Sequence, residues 1–144
     1  PGRKLILGGV DIPHHQGLDG HSDADVLAHA ISDALLGAVR GGDIGKLFPD
    51  TDPAYKDADS LKLLAEVVRF VRERGFEIID VDSVIAAQAP KLSPYREAMR
   101  ENLAAAMGVP VENVGVKATT TEHLGHEGRE EGITAYATCL VCRI

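Results

Sequence analysis

The sequence predicts an α+β fold: one mixed β-sheet with helices packed on one face. Three observations predict it. First, β-rich runs and helical periodicities follow one another in the irregular order β-α-α-β-α-β-β. Second, the chain has 144 residues, the size of one domain with a substantial core, so 1–144 reads as a single unit. Third, the apolar fraction is 44% while aromatics make up 4% with no Trp, so the core must be Leu, Val, Ile and Ala.

Lys4 to Ile12 is apolar and β-rich, a strand with a bend at Gly8-Gly9. His14 to Gly20 is a polar loop. Ser22-Asp23-Ala24-Asp25 opens a helix, because Ser and Asp cap well and acids suit the positive end of the helix dipole. Val26, Leu27, Ala30, Ile31, Ala34 and Leu35 then recur at helical spacing, up to Gly41-Gly42. Asp43 to Asp59 carries Pro49, Pro53 and several Asp, and reads as loop. Ser60 caps a second helix with the stripe Leu61, Leu64, Val67, Val68 and Val71, stopped by Gly75. Phe76 to Gln88 is a long strand. Ser93-Pro94 starts a third helix that ends at Gly108. Val111 to Lys117 is a short strand, Thr119 to Gly132 is polar and Gly-rich, and Ile133 to Ile144 is a final strand. An open sheet covered on one face only predicts a homo-oligomer.

The net charge is −7. An acidic domain without a basic block predicts no nucleic-acid or anionic-membrane partner, but a cation can still bridge phosphate to carboxylate. No apolar run reaches the roughly 18–20 residues of a membrane span, and no signal peptide is visible. A cytoplasmic or plastid-stroma enzyme is the expectation. The two cysteines, Cys139 and Cys142, form C-x-x-C inside a predicted strand, where i and i+3 point to opposite faces. Without a second pair or a helix start, they predict neither zinc nor redox chemistry.

Four polar constellations remain. Asp25, His29 and Asp33 stand at i, i+4 and i+8 on one helix face. They fit either a metal-binding imidazole beside carboxylates or a solvated polar face. His21, just ahead of the helix, sits where free backbone N–H groups can receive an anion, or is a plain loop histidine. Lys117-Ala118-Thr119-Thr120-Thr121-Glu122 offers hydroxyls, amides and a carboxylate for phosphate and Mg²⁺, or is a Thr-rich turn. Gly42-Asp43-Ile44-Gly45 allows close backbone approach to a ligand, with Asp43 able to accept from sugar hydroxyls. Asp57 and Asp59 beyond it read as solvated. Lys91, in Gln88-Ala89-Pro90-Lys91-Leu92-Ser93 at a strand end, could meet a phosphate or simply face water.

Taken together these segments are distinctive. HSDAD at 21–25, His29, GDIGKLFPDTD at 42–52, APK at 89–91 and KATTTE at 117–122 follow in this order. Leu124-Gly125, Gly128-Arg129 and Glu131-Gly132 complete the set. The pattern resembles the 2-C-methyl-D-erythritol 2,4-cyclodiphosphate synthase family of the non-mevalonate isoprenoid route, from about Leu5 to the C-terminus. The resemblance implies a reaction in which the 2-phosphate of 4-diphosphocytidyl-methylerythritol 2-phosphate attacks its own β-phosphorus. CMP leaves and a cyclic diphosphate forms. It also implies a homotrimer, with the sheets facing the trimer core and active sites at subunit interfaces.

Residue by residue, the resemblance implies a Zn²⁺ ligand at His29 and transition-state stabilisers at His21 and Thr120. His21 and Ser22 would line the methylerythritol phosphate. Asp43, Ile44 and Gly45 would meet the sugars, and Phe48, Pro49, Asp50, Thr51 and Asp52 would form a substrate loop. Ala87, Gln88, Ala89, Pro90, Lys91, Leu92 and Ser93 would build the cytidine pocket. Thr119, Thr120, Thr121 and Glu122 would grip the diphosphate, with Glu122 on Mg²⁺ or Mn²⁺. Arg129 is implied as a further substrate contact, and so is His126, where the family usually has Phe. The family's Asp-x-His motif, which completes the zinc site, has no counterpart in Pro1 to Ile12, where the only candidate is Asp11. The favoured expectation is a natural start upstream of Pro1. A nucleotide-binding homologue that has lost its zinc site, and a metal-dependent phosphohydrolase, are the alternatives.

Overall fold

The computed structural model describes residues 3–14, 17, 24–47 and 59–144. The predicted first strand is two strands. β1 (Leu5–Leu7) and β2 (Val10–Ile12) pair antiparallel, with Leu7 opposite Val10. Gly8 and Gly9 join them with φ of +55° and +74°. Positive φ at both central residues is the tight hairpin turn whose twist suits flanking strands. Glycine is needed for space as well: a Cβ on Gly8 would lie 2.8 Å from Cβ of Met99.

Helix α1 (Val26–Ala38) buries Leu27, Ala28, Ile31, Leu35 and Leu36. Each large aliphatic side chain so buried contributes about 1.5–3 kcal/mol. Of the four residues expected to open this helix, Asp25 is its cap. A one-turn helix, α2 (Ile44–Leu47), lies in the stretch read as loop. It is capped by Asp43, whose Oδ1 accepts the Lys46 N–H at 2.9 Å. Helix α3 (Ser60–Glu73) packs Leu63, Leu64, Val67, Val68 and Val71 inward. Its cap is Asp59, accepting from the Leu61 N–H, and not Ser60. The cap needs extended backbone, which Asp59 has at φ −71° and ψ 117°. The expectation that Asp59 is merely solvated is corrected at the same point.

The main sheet has the order β4-β3-β5. β3 (Phe76–Ala86) is central, parallel to β4 (Val114–Thr119) and antiparallel to β5 (Thr134–Arg143). Helix α4 (Arg96–Met107) makes the crossover between the parallel pair, as that geometry demands. The third helix starts later than Ser93-Pro94, which form a 3₁₀ turn over Ser93–Tyr95. It ends as expected on left-handed Gly108. A second 3₁₀ turn, Val111–Asn113, replaces the predicted start of β4, so that strand begins at Val114 and runs on through Thr119. A short helix, α5 (Gly125–Gly128), stands inside the polar Gly-rich segment.

Helices α1, α3 and α4 pack on the sheet, and the core is aliphatic, from Leu5 and Ile31 through Leu64 and Ile85 to Met99 and Leu103. Cys139 faces this side and donates to the Ala34 carbonyl at 3.4 Å, and burial pushes its thiol up. Cys142 is exposed, and neither cysteine is in a disulfide. The opposite sheet face is open. Across it run the aligned residues Lys117, Val84 and Tyr136, with Leu140 further along β5. Tyr136 and Leu140 are 61% and 59% exposed. Among the described residues, no helix is long and apolar enough to cross a membrane.

Candidate active site

Because β3 and β4 are parallel, their C-terminal ends lie side by side, where open sheets with crossover helices present their ligand sites. Ala86 is opposite Thr119, and the Ala87 N–H donates to the Thr119 carbonyl at 2.9 Å. Two segments far apart in sequence therefore leave the sheet together: 87–93 and 119–123. The Gln88 side chain joins them, its Oε1 accepting the His123 N–H at 3.0 Å. The Ala89–Pro90 peptide is cis, and Lys91 beyond it is exposed. Ala87 and Leu92 are buried and seat the segment on the core.

The threonine run changes character along its length. Thr119 ends the strand, and its Oγ1 donates to the Thr120 carbonyl at 3.1 Å. Thr120 Oγ1 accepts the Glu122 N–H at 3.3 Å. Thr121 Oγ1 donates to the Leu124 carbonyl. Glu122 and His123 both hold left-handed backbone, φ +54° and +67°. The Glu122 side chain is exposed at the tip of this turn.

On α1 the predicted polar row is graded by depth. Asp25 is fully buried, His29 half-buried and Asp33 exposed. Asp25 Oδ1 accepts from the N–H groups of Gly8 and Ala28 at 2.9 and 3.1 Å, and Oδ2 from Gly9 at 2.8 Å. Its carboxylate is a structural staple between the hairpin turn and the helix start. His29 Nε2 is 2.9 Å from Oγ of buried Ser60. Such a hydrogen bond sets the tautomer and orientation of a metal-ligating imidazole. Ser60, read from the sequence as a helix cap, is thus the partner of His29. The signal was Asp59, an equally good cap one residue earlier.

Asp43 is exposed and caps α2, whose backbone Ile44 and Gly45 begin. His126 is exposed, with Nε2 3.3 Å from both Thr134 Oγ1 and Glu127 Oε2. A hydrogen bond from Thr134 holds the Glu127 carboxyl below its ordinary range. Arg129 is exposed and pairs with Glu131 at 2.9 Å. His21, Ser22 and Phe48 to Asp52 lie outside the described residues, as does Asp57.

The donor chemistry suits the two implied metals. An exposed carboxylate at Glu122 is a hard oxygen donor of the kind Mg²⁺ and Mn²⁺ take, and an oriented imidazole at His29 suits Zn²⁺. Among the described residues, no group of three or more His, Cys, Asp and Glu converges on one point.

Comparison with known proteins decides the family. The profile of the YgbB family matches residues 1–142. The chain belongs to this family. A relative from Desulfitobacterium hafniense, named 2-C-methyl-D-erythritol 2,4-cyclodiphosphate synthase, is 61% identical over 141 residues, covering 97% of this chain and 89% of that protein. A relative of the same name from Laribacter hongkongensis is 62% identical over 97% of this chain and 86% of that protein. Among solved structures, a cyclodiphosphate synthase in its CDP-bound form superimposes with a TM-score of 0.89 at 38% identity, covering 98% of this chain and 91% of that one. The bifunctional IspDF from Campylobacter jejuni gives 0.94 at 46% identity, with 99% of this chain covered and 38% of that longer one. The YgbB assignment makes the chain an enzyme: a cyclodiphosphate synthase of the non-mevalonate isoprenoid route.

Proposed function

We propose that this domain cyclises 4-diphosphocytidyl-2-C-methyl-D-erythritol 2-phosphate, and that it does so as a homotrimer with its sites at subunit interfaces. One observation carries the reading: segments 87–93 and 119–123 leave the sheet side by side, joined through Gln88 and His123. A pocket for cytidine and a grip for its diphosphate would need that adjacency. The CDP-bound relative supports the ligand class. The open sheet face with Tyr136 and Leu140 supports a partner subunit there.

The chemistry is one displacement. An oxygen of the 2-phosphate forms a bond to the β-phosphorus. The bond from that phosphorus to the oxygen it shares with the α-phosphate breaks, and CMP leaves with that oxygen and its charge. No protein nucleophile is needed, so catalysis is proximity plus charge stabilisation. Lys91 supplies positive charge near the diphosphate. Thr119, Thr120 and Thr121 offer hydroxyls and amides to its oxygens, with Thr120 and His21 stabilising the transition state. Ser22 and His21 hold the 2-phosphate end, and residues 43–45 and 48–52 enclose the sugars. His126 and Arg129 bound the diphosphate side. Ala87 to Ser93 enclose the cytosine. Zn²⁺ held by His29, with ligands beyond the described residues, and Mg²⁺ or Mn²⁺ held by Glu122 would supply Lewis-acid charge and a template. A bacterial cytoplasm is the setting that fits these relatives.

The test is incubation with the substrate, Zn²⁺ and Mg²⁺. The expected result is CMP and the cyclic diphosphate in equal amounts, from a particle of about three times the 15.3 kDa chain mass. Release of inorganic phosphate would establish the phosphohydrolase instead. CDP binding without turnover would establish the nucleotide-binding homologue.

A further inference from the structure

We propose that Gln88 is a positioning residue that sets the turn carrying Glu122, and so couples the cytidine segment to the divalent-cation site. The inference deepens the functional reading above and rests on it. Glu122 and His123 are consecutive non-glycine residues at φ +54° and +67°. That region is disfavoured for residues with a Cβ, and two in a row persist only when the surroundings hold them.

The turn's own bonds are local ones. Glu122 N–H reaches Thr120, Leu124 N–H reaches the Thr121 carbonyl, and Thr121 Oγ1 reaches the Leu124 carbonyl. Such bonds shape a turn but do not fix where it points. Two contacts from outside do. On one side Gln88 Oε1 accepts the His123 N–H at 3.0 Å. On the other, Gly128 of α5 lies against the His123 backbone so closely that a Cβ there would collide with it. His123 is clamped between them, and Glu122 is its neighbour.

Gln88 itself is anchored. It follows buried Ala87, whose N–H is bonded to the Thr119 carbonyl, and its segment is seated again at buried Leu92. A shift of the cytidine segment therefore reaches the Glu122 turn through one side-chain amide. A residue that only lined the cytidine pocket would affect nucleotide affinity alone. A positioning residue affects the cation as well.

The experiment uses Gln88→Met, which keeps length and removes the oxygen acceptor, and Gln88→Glu, which keeps the acceptor. Mn²⁺ affinity is read by its EPR signal at saturating CDP, CDP affinity by calorimetry without metal, and His123 amide exchange by NMR. For Gln88→Met the expected results are Mn²⁺ binding about three- to tenfold weaker and His123 exchange faster by a similar factor, as loss of one modest hydrogen bond gives. Any loss of CDP affinity should be smaller than the loss of Mn²⁺ affinity, and Gln88→Glu should restore Mn²⁺ binding and the slow His123 exchange. Should Gln88→Met fail to fold, Gln88→Asn replaces it, its amide being one carbon short of the His123 N–H. Unchanged Mn²⁺ affinity, or a loss that only tracks CDP affinity, overturns the proposal. A wild-type protein that releases no CMP would sink the functional reading alone, because the binding and exchange measurements do not need turnover.

Discussion

The α1 end of the molecule and the shared end of β3 and β4 both carry polar clusters, and they are held in opposite ways. At α1, Asp25 is fully buried and receives three backbone N–H groups, and His29 leans on buried Ser60. At the strand ends, Glu122 is exposed on a left-handed turn pinned from outside by Gln88. The first cluster is rooted in the core at Asp25 and rises to the surface at Asp33. The second is a surface loop whose geometry depends on cross-strand contacts. Two polar clusters of one protein thus do two jobs, stapling and presenting.

The contrast can be broken most severely at Asp25. Asp25→Ala strips a helix cap and leaves the N–H groups of Gly8 and Gly9 without their carboxylate. Loss of about 3 kcal/mol is expected, a fall of roughly 10 °C in Tm. Calorimetry would read it. A change within about 2 °C would return Asp25 to the chemistry of the site and end the staple reading.

Ser60→Ala sharpens the contrast at intermediate cost. Stability should change little, since Asp59 and not Ser60 caps α3. Zinc affinity should fall by about 10–100-fold, the usual cost of losing a hydrogen bond behind a ligating imidazole. Competition against a chromophoric chelator reads this directly. Equal zinc affinity in the variant would mean that His29 and Ser60 form a purely structural pair.

The smallest effect is electrostatic and lies away from both clusters. Arg72 donates to Glu77 at 3.0 Å and to the Met107 carbonyl at 3.0 Å, tying α3 to β3 and α4. Its hydrogen bond holds the Glu77 carboxyl below the ordinary value of 4.5. With the folded value depressed, the stabilisation is present above pH 4.5 and is lost as pH falls through the folded value. Both side chains are more than a third exposed, so the pair is worth under about 1 kcal/mol. Arg72→Met should move the acid-unfolding midpoint slightly upward while leaving unfolding at pH 7 shifted by no more than that. No change in the acid midpoint would show that the pair contributes nothing measurable. The Asp82–Lys117 pair on the open sheet face follows the same sign, the Lys117 hydrogen bond holding Asp82 down.

Much of the fold was legible because periodicity reports burial. The α3 stripe from Leu64 to Val71 and the alternation along β5 both point at the core they meet. Boundaries were less legible. Asp59 and Ser60 are both good caps by type, and only the backbone angles decide which one caps. Lys4 to Ile12 looks like one strand until two positive φ angles fold it back on itself. The candidate site divides in the same way. Motif order named Thr119 to Glu122 and Ala87 to Ser93, but nothing in spacing could join residues 35 apart through Gln88 and His123.

The fold class, the aliphatic core, the catalytic family and the residue types available for phosphate and cation are written along the chain itself. Those follow from composition, local periodicity and ordered motifs, which are properties of neighbours along the chain. Contacts between distant elements bury Asp25 beneath three amides, turn Ser60 toward His29 and set Gln88 against the Glu122 turn. Each of these depends on a parallel pairing, a hairpin or a helix packing that brings residues distant along the chain within about 3 Å, the range in which a hydrogen bond exists at all.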